Sequence, residues 1–128
     1  YKLTTEAIAG LMYEWHVPSG RVQRSVGLRD LVGYAPDEPA PTPEWWRDRI
    51  HPDDYPAAAA AGTAAAEARL PLTESRYRVR HRDGRWMHVV DKARIVYRLD
   101  GQIDRVVGCA IDESARVTAE ATLRESEA

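Results

Sequence analysis

The residue types in this chain that could do chemistry are few, and the densest group of them is His51, Asp53 and Asp54. An imidazole beside two carboxylates could bind a metal ion or transfer protons if further ligands converged on it from elsewhere in the fold. Nothing in the sequence places such ligands there. An alanine-rich stretch follows directly, and aspartate oxygens accept the free N–H groups of a first helical turn at a gain of about 1 kcal/mol. We therefore interpret the cluster as a helix cap.

The single cysteine, Cys109, is interpreted as a small buried hydrophobe in a predicted strand, and it excludes an internal disulfide. Arginines at alternate positions share one face of another predicted strand, since side chains alternate faces at period two. These arginines are Arg76, Arg78, Arg80 and Arg82. They suit a solvated face partly neutralised by Asp91, Asp104 or the acidic C-terminal segment, and they guard an exposed strand against edge pairing. Phosphate binding is the alternative.

Residues 73–112 are expected to form the best-defined part of the fold, three strands joined by two tight turns. Asp83-Gly84 and Asp100-Gly101 separate stretches of alternating apolar residues, and Gly adopts the positive φ that such a hairpin turn requires. The strands are predicted over 73–82, 85–98 and 102–111. Trp86, His88 and Val90 should share one face of the second strand. Val107 should share a face of the third with Ile103, Cys109 and Ile111.

The first half of the chain is expected to supply two more strands and the helices. A short helix is predicted over 1–10, closed by Gly10, followed by a hairpin of strands 11–17 and 21–26. Helical segments are predicted over 28–32, 44–50 and 55–70, and a charged C-terminal helix over 113–128. The fold class is α+β, a five-stranded antiparallel sheet with short helices on one face, flanked by N- and C-terminal helices.

Composition bounds the function. The 128 residues, 44% hydrophobic and 30% charged, suit one globular domain. The net charge of −2 argues against a dedicated nucleic-acid binder, and no apolar run approaches the ~20 residues of a membrane helix. One cysteine suits a reducing compartment, so a cytoplasmic location is expected. The chain starts at Tyr1 and ends within a helical pattern, so we expect it to be part of a longer protein.

This order of elements, together with specific residues, resembles the PAS domain, in particular the subgroup found in bacterial signalling proteins such as sensor histidine kinases. The matching segments span nearly the whole chain: Tyr13-Glu14-Trp15 before Pro18-Ser19-Gly20, Leu31-Val32-Gly33-Tyr34, Trp46 followed by Ile50-His51-Pro52-Asp53-Asp54, Tyr77-Arg78 leading to Asp83-Gly84 and Trp86, and Asp100-Gly101 through Val107-Gly108 to Asp112-Glu113-Ser114. The family's usual Asp-Ile-Thr ending is Asp112-Glu113-Ser114 here, and an aspartate common after the first strand's tryptophan is His16.

The resemblance implies a sensory domain over residues 1–112 and a linker or signalling helix over 113–128. It implies a non-catalytic sensory and dimerisation module of a two-component histidine kinase or a cyclic-dinucleotide enzyme. Ligand or partner binding would shift the sheet and reach the C-terminal helix through Asp112 and Ser114. The implied partners are a second copy, bound through the terminal helices or the outer sheet face, and an output domain of the same chain.

A cavity between helices and sheet would serve such a sensor. Its candidate lining residues are Tyr13, Trp15, Trp46, Ile50, Tyr77, Val79, His88 and Val107. The same residues suit a closed core of ordinary density equally well. No cofactor or metal is predicted, and an unidentified small molecule is the ligand for which the resemblance leaves room.

Three alternatives stay open. A haem or flavin sensor is one, although the helix over 55–70 lacks the histidine of haem-binding relatives and the chain lacks the Asn-Cys-Arg motif of light-sensing flavin relatives. A small enzyme on a similarly curved sheet, such as an isomerase, is the second, and its candidate acids and bases are Glu14, His16 and His88. The third is a purely structural dimeriser without a cavity.

Overall fold

A computed structural model describes residues 10–114 of the chain. Five strands form one antiparallel sheet: β1 (Gly10–His16), β2 (Arg21–Arg24), β3 (Leu72–Arg80), β4 (Trp86–Tyr97) and β5 (Ile103–Asp112). Three helices connect β2 to β3: α1 (Gly27–Val32), α2 (Pro43–Arg47) and α3 (Tyr55–Glu67). The predicted α+β fold with a five-stranded antiparallel sheet is confirmed, and the terminal helices predicted beside it lie outside the described residues, except that Gly10 begins β1 instead of ending a helix.

The sheet has the strand order β2-β1-β5-β4-β3, so the first and last strands of the chain are neighbours near its middle. Both predicted Asp-Gly turns are present, with φ of 98° at Gly84 and 88° at Gly101. The three strands that they join begin and end within two residues of their predicted limits. The sequence predicts these three strands because their turns are local signals, whereas the pairing of β1 with β5 joins residues 89 (His16 and Arg105) to 101 (Gly10 and Ile111) positions apart in the chain.

Register decides which residues face the helices. Residues directly opposite in an antiparallel ladder share a face. Tyr77 is opposite Val89 and Val79 is opposite Met87, and these four side chains are buried together with α1. We call this side of the sheet the inner face. Its core consists of Leu11, Leu28, Leu31, Val32, Tyr77, Val79, Met87, Val89 and Ala110.

Two of the predicted cavity residues lie on the opposite side, here called the outer face. His88 is opposite Arg78 on β3, and Val107 is opposite Glu14 on β1. Each is adjacent in sequence to residues that face inward, so its own side chain faces outward. Their predicted placement in a cavity under the helices is therefore wrong. Period-two alternation allows no other outcome once Val89 and Val106 face inward.

Short segments beside β3 close the fold. Ile50 pairs with Val79 as an isolated bridge, and the His51 N–H donates to the Arg78 carbonyl at 2.8 Å. This pairing ends α2 at Arg47, before the predicted residue 50, and covers part of the edge of β3. Helix α3 likewise ends early, because Arg69 adopts a left-handed conformation with φ of 56° and the Leu70 N–H donates back to the Ala65 carbonyl.

Candidate functional site

A cavity of about 460 Å³ lies between the inner face and helices α2 and α3. It exists because α3, apart from Tyr55 at its start, presents small side chains to the sheet there, and of the residues of α3 only Ala65 is buried. These small residues are Ala58, Ala59, Gly62, Thr63 and Ala66. A smaller hollow of about 140 Å³ adjoins it and shares five lining residues, Tyr13, Trp15, Pro43, Trp46 and Asp91. The volume falls in the range of small-molecule sites, roughly 300–1,000 Å³.

A chain of hydrogen bonds crosses the cavity wall and ends at Asp91 of β4. The Trp46 indole N–H donates to the Tyr77 hydroxyl oxygen at 2.7 Å. The Tyr77 hydroxyl donates to Asp91 Oδ2 at 2.8 Å, and the Tyr13 hydroxyl donates to Asp91 Oδ1 at 2.7 Å. Both carboxylate oxygens are therefore held by neutral donors from two different strands, which fixes the carboxylate in one orientation.

Burial dominates the electrostatics of this group. It raises the pKa of Asp91 above its ordinary value, although the two tyrosine hydrogen bonds act in the opposite direction. Burial and the neighbouring carboxylate raise the pKa of Tyr13 and that of Tyr77 well above the ordinary tyrosine value. Both phenols therefore stay neutral at physiological pH and act as hydrogen-bond donors.

Gly108 makes the link between Tyr13 and Asp91 sterically feasible. It lies on β5 between Tyr13 of β1 and Ala93 of β4. The Tyr13 ring passes directly over it, and a Cβ atom at position 108 would overlap the phenol ring and hydroxyl. A glycine in a strand interior often marks such a close approach. The absence of a side chain here lets Tyr13 reach across β5 to a carboxylate two strands away.

Five of the eight predicted cavity residues do line this cavity: Tyr13, Trp15, Trp46, Ile50 and Tyr77. Val79 lies in the closed core with no exposed surface, and His88 and Val107 lie on the outer face. Sequence reasoning missed Asp91, which its charge suggested as a partner of the outer-face arginines. Alternation could have found it, because Asp91 shares a face of β4 with Met87 and Val89.

The His51 cluster is not a side-chain cap, contrary to the prediction. Both oxygens of Asp54 bind the Arg78 guanidinium, at 2.8 and 2.9 Å, and Asp54 Oδ2 also accepts the Arg78 backbone N–H at 2.8 Å. These hydrogen bonds, with that of the Arg78 side chain first, lower the pKa of Asp54 to about 2. The carboxylate ties the start of α3 to β3 instead of capping the helix, and in residues 10–114 no group of side chains has the makings of a metal site.

The arginine row has other partners than Asp91 and Asp104. Arg76 contacts Glu74 at 3.0 Å and Glu113 at 3.3 Å. Arg82 contacts Glu38 at 2.7 Å, and Arg80 lies 5.8 Å from the centre of the Trp86 ring. Of the predicted acidic partners that fall within residues 10–114, Glu113 at the start of the C-terminal segment is the one that contacts this row.

The candidate acids and bases of the enzyme alternative do not face the cavity. Glu14 lies on the outer face and pairs with Arg105 at 3.0 Å. His16 Nδ1 and Ser19 Oγ share a hydrogen bond of 2.8 Å at the β1–β2 turn. Cys109 is half-buried on the outer face, and burial raises the pKa of its thiol. Asp91 is thus the acidic group that the described residues place inside.

The end of β5 is tied to β4 through two hydrogen bonds to His88, and a third hydrogen bond lies within the end of β5 itself. The Ser114 N–H donates to Asp112 Oδ1 at 2.7 Å, and the His88 N–H donates to Ser114 Oγ at 3.1 Å. The Glu113 N–H donates to the His88 carbonyl at 2.7 Å. We call residues 112–114 the exit corner. His88 is therefore a structural partner of the exit corner, and it lies three residues from Asp91 on the same strand.

None of the helices within residues 10–114 has the length and apolar character to cross a membrane. The PAS fold family model matches residues 21–110. The chain is 26% identical to a sensory box histidine kinase/response regulator from Burkholderia thailandensis, with a TM-score of 0.82 over 98% of this chain and 93% of that one. It is 20% identical to the N-terminal domain of a diguanylate cyclase with PAS/PAC sensor from Marinobacter aquaeolei, with a TM-score of 0.74 over 84% and 97%. No curated protein matches.

Proposed function

The chain belongs to the PAS fold family, and from that premise we propose that it is the non-catalytic sensory module of a multidomain bacterial signalling protein, a histidine kinase or a cyclic-dinucleotide enzyme. A sensory module is the role that the family and the two structural neighbours support. The proposal that the module binds a ligand depends on one observation: the inner-face cavity contains a fixed carboxylate, Asp91, held by Tyr13 and Tyr77.

Binding is favoured over catalysis by the state of that carboxylate. A general base needs a free oxygen within reach of the proton that it abstracts. Each oxygen of Asp91 already accepts a tyrosine hydroxyl group, which restricts the movement of the carboxylate and opposes the rise in its pKa that burial causes. The four histidines of the chain all fall within the described part, and none lines the cavity, which disfavours haem as the bound group.

The route from cavity to output runs along β4 to the exit corner. A ligand that binds near Asp91 acts on the strand whose His88 holds Glu113 and Ser114. A ligand can shift a conformational equilibrium only through its different affinity for the two states. We propose that the shift changes the hydrogen bonds at Asp112 and Ser114 and so the orientation of the segment 113–128 that follows.

A second copy of the chain is the proposed partner of the outer face. That face carries a groove of about 1,020 Å³ whose floor includes Val107, Gly108 and Cys109 of β5. Charged side chains such as Lys92 and Arg94 surround these small and apolar groups, an arrangement typical of protein interfaces. Mass measured by light scattering across a range of concentrations tests the dimer.

The relay is tested in the full-length signalling protein with Asp112→Ala. Native mass spectrometry of the freshly purified protein first reports any bound small molecule. The variant should keep the bound molecule and lose the ligand-dependent change in output activity. Asp104→Ala, a substitution near the other end of β5, should keep both. An Asp112→Ala protein with a normal ligand response would refute the exit-corner route.

A further inference from the structure

The packing of the fold does not explain why a carboxylate, that of Asp91, lines the cavity. A carboxylate that is largely removed from water ordinarily has a cationic partner or becomes protonated. Within residues 10–114 no Lys, Arg or His side chain forms an ion pair with Asp91, and its partners are two neutral phenols. Its remaining surface lines the cavity.

The hydrogen-bond directions fit an anion. Trp46 donates to the Tyr77 oxygen, so the Tyr77 proton is left to point at Asp91 Oδ2. Tyr13 donates to the other oxygen. An ionised carboxylate accepts at both oxygens and donates at neither. The site therefore holds a negative charge in place and supplies no positive charge to answer it.

The walls around this charge are aromatic. Tyr13, Trp15, Trp46 and Tyr77 all line the cavity beside Asp91. The faces of such rings attract cations through their quadrupoles, and Trp does so most strongly. The Trp15 indole N–H is buried and has no hydrogen-bond partner among the described residues.

Two cationic side chains border this space and form no ion pair with Asp91: Arg24 lines the smaller hollow together with Asp91, and Arg47 lines the larger cavity. Arg24 donates to the backbone oxygens of Ala40 and Thr42, at 3.0 and 2.7 Å. Arg47 borders the cavity from α2 and is exposed to solvent. These arginines favour anions where they border the space, whereas Asp91 favours cations. An anionic probe is therefore needed as a competitor in any test.

We propose that the cavity takes a small organic cation, a protonated amine or a quaternary ammonium group, with Asp91 as its counter-ion and the tyrosine and tryptophan rings as its walls. This inference rests on the proposed sensory function and names the class of its ligand. A neutral apolar ligand would fill the same volume but would leave the carboxylate unpaired in a drier site than before. A bound cation pairs with the carboxylate and removes that penalty. The gain in free energy on binding should therefore be larger for a cation than for a neutral ligand of the same size.

Three probes with the same ring and different charge test the inference: benzylammonium, benzyl alcohol and benzoate, titrated into the protein by calorimetry at neutral pH. Benzylammonium should bind with a dissociation constant of about 1 mM or tighter, as expected of a good ligand of this size. It should bind at least about tenfold more tightly than either other probe, a difference of one factor of ten in affinity. Asp91→Asn keeps an oxygen for a tyrosine hydroxyl and removes the charge, so it should abolish this preference.

Each outcome supports or overturns the cation inference. The comparison of the three probes in the unmodified protein does this even if Asp91→Asn does not fold. Equal or tighter binding of benzoate or benzyl alcohol overturns the cation inference and leaves the sensory cavity standing. An unchanged preference in folded Asp91→Asn also overturns it. If none of the three probes binds and native mass spectrometry finds no small molecule, both the inference and the proposed ligand site fail.

Discussion

Gly108→Ala is the substitution that tests how the sheet builds the cavity. The Tyr13 ring lies over Gly108 on its way from β1 to Asp91 on β4. An alanine methyl group would occupy the space of that ring, and neither the backbone of β5 nor its two neighbouring strands can move away without breaking ladder hydrogen bonds. The ring should therefore be displaced, and the Tyr13–Asp91 hydrogen bond of 2.7 Å should be lost.

The expected change in the free energy of unfolding combines three effects. Loss of a hydrogen bond to a charged group costs about 1.5–3 kcal/mol, and overpacking costs about 1–3 kcal/mol. Alanine in place of glycine in a strand returns about 0.5–1 kcal/mol through the unfolded state. The free energy of unfolding should therefore fall by about 2–5 kcal/mol. For a domain of this size that corresponds to a fall in Tm of at least roughly 6 °C.

Urea unfolding followed by circular dichroism measures this loss. The matched control is Gly62→Ala in α3, where an added Cβ meets no atom within 4 Å. That control should raise the free energy of unfolding by about 0.5–1 kcal/mol, because alanine is the better helix former. The two Gly→Ala substitutions thus have opposite expected signs.

The same Gly108→Ala substitution in a Tyr13→Ala protein tests whether the Tyr13 ring causes the loss of stability. In Tyr13→Ala the ring is gone, so adding Gly108→Ala should cost less than about 1 kcal/mol, and the two substitutions should be strongly non-additive. An equal loss in both backgrounds would show that Gly108 is needed for a reason unrelated to Tyr13, and the account of the cavity given above would be wrong.

Three further predictions concern hydrogen bonds seen in the structure. Tyr77→Phe leaves the Trp46 indole N–H without its acceptor and should lower the free energy of unfolding by about 1.5–3 kcal/mol in urea. Arg78→Ala should lower the urea midpoint and Arg80→Ala should leave it nearly unchanged, because of these two arginines Arg78 alone binds a carboxylate within residues 10–114, that of Asp54. The folded-state pKa of Asp54, about 2, lies below its ordinary 3.8. Its contribution to stability is therefore complete above about pH 4 and lost as pH falls towards 2, and Asp54→Asn should lack that part of the acid dependence.

Local signals in the sequence predicted the elements well and the site only in part. The Asp-Gly turns and the alternation around Tyr13 and Trp15 are short-range features, and the structure has both. The Tyr13–Asp91 hydrogen bond joins residues 78 positions apart on strands that are not adjacent. The Asp54–Arg78 pair likewise joins a helix start to a strand 24 positions away. No local pattern encodes such pairings, which is why Asp91 was assigned to the outer arginines and Asp54 to a cap.

Strand β4 connects the proposed ligand site at Asp91 to the exit corner, because His88 lies on the same strand. Odd-numbered residues of β4 from Met87 to Ala93 face inward, and the backbone of His88 holds Ser114. A one-residue slip would reverse the two faces, so the proposed relay requires β4 to keep its register while the exit corner changes. In the proposed function, a cation that pairs with Asp91 would favour one arrangement of the exit corner only to the extent that it binds that arrangement more tightly than the other.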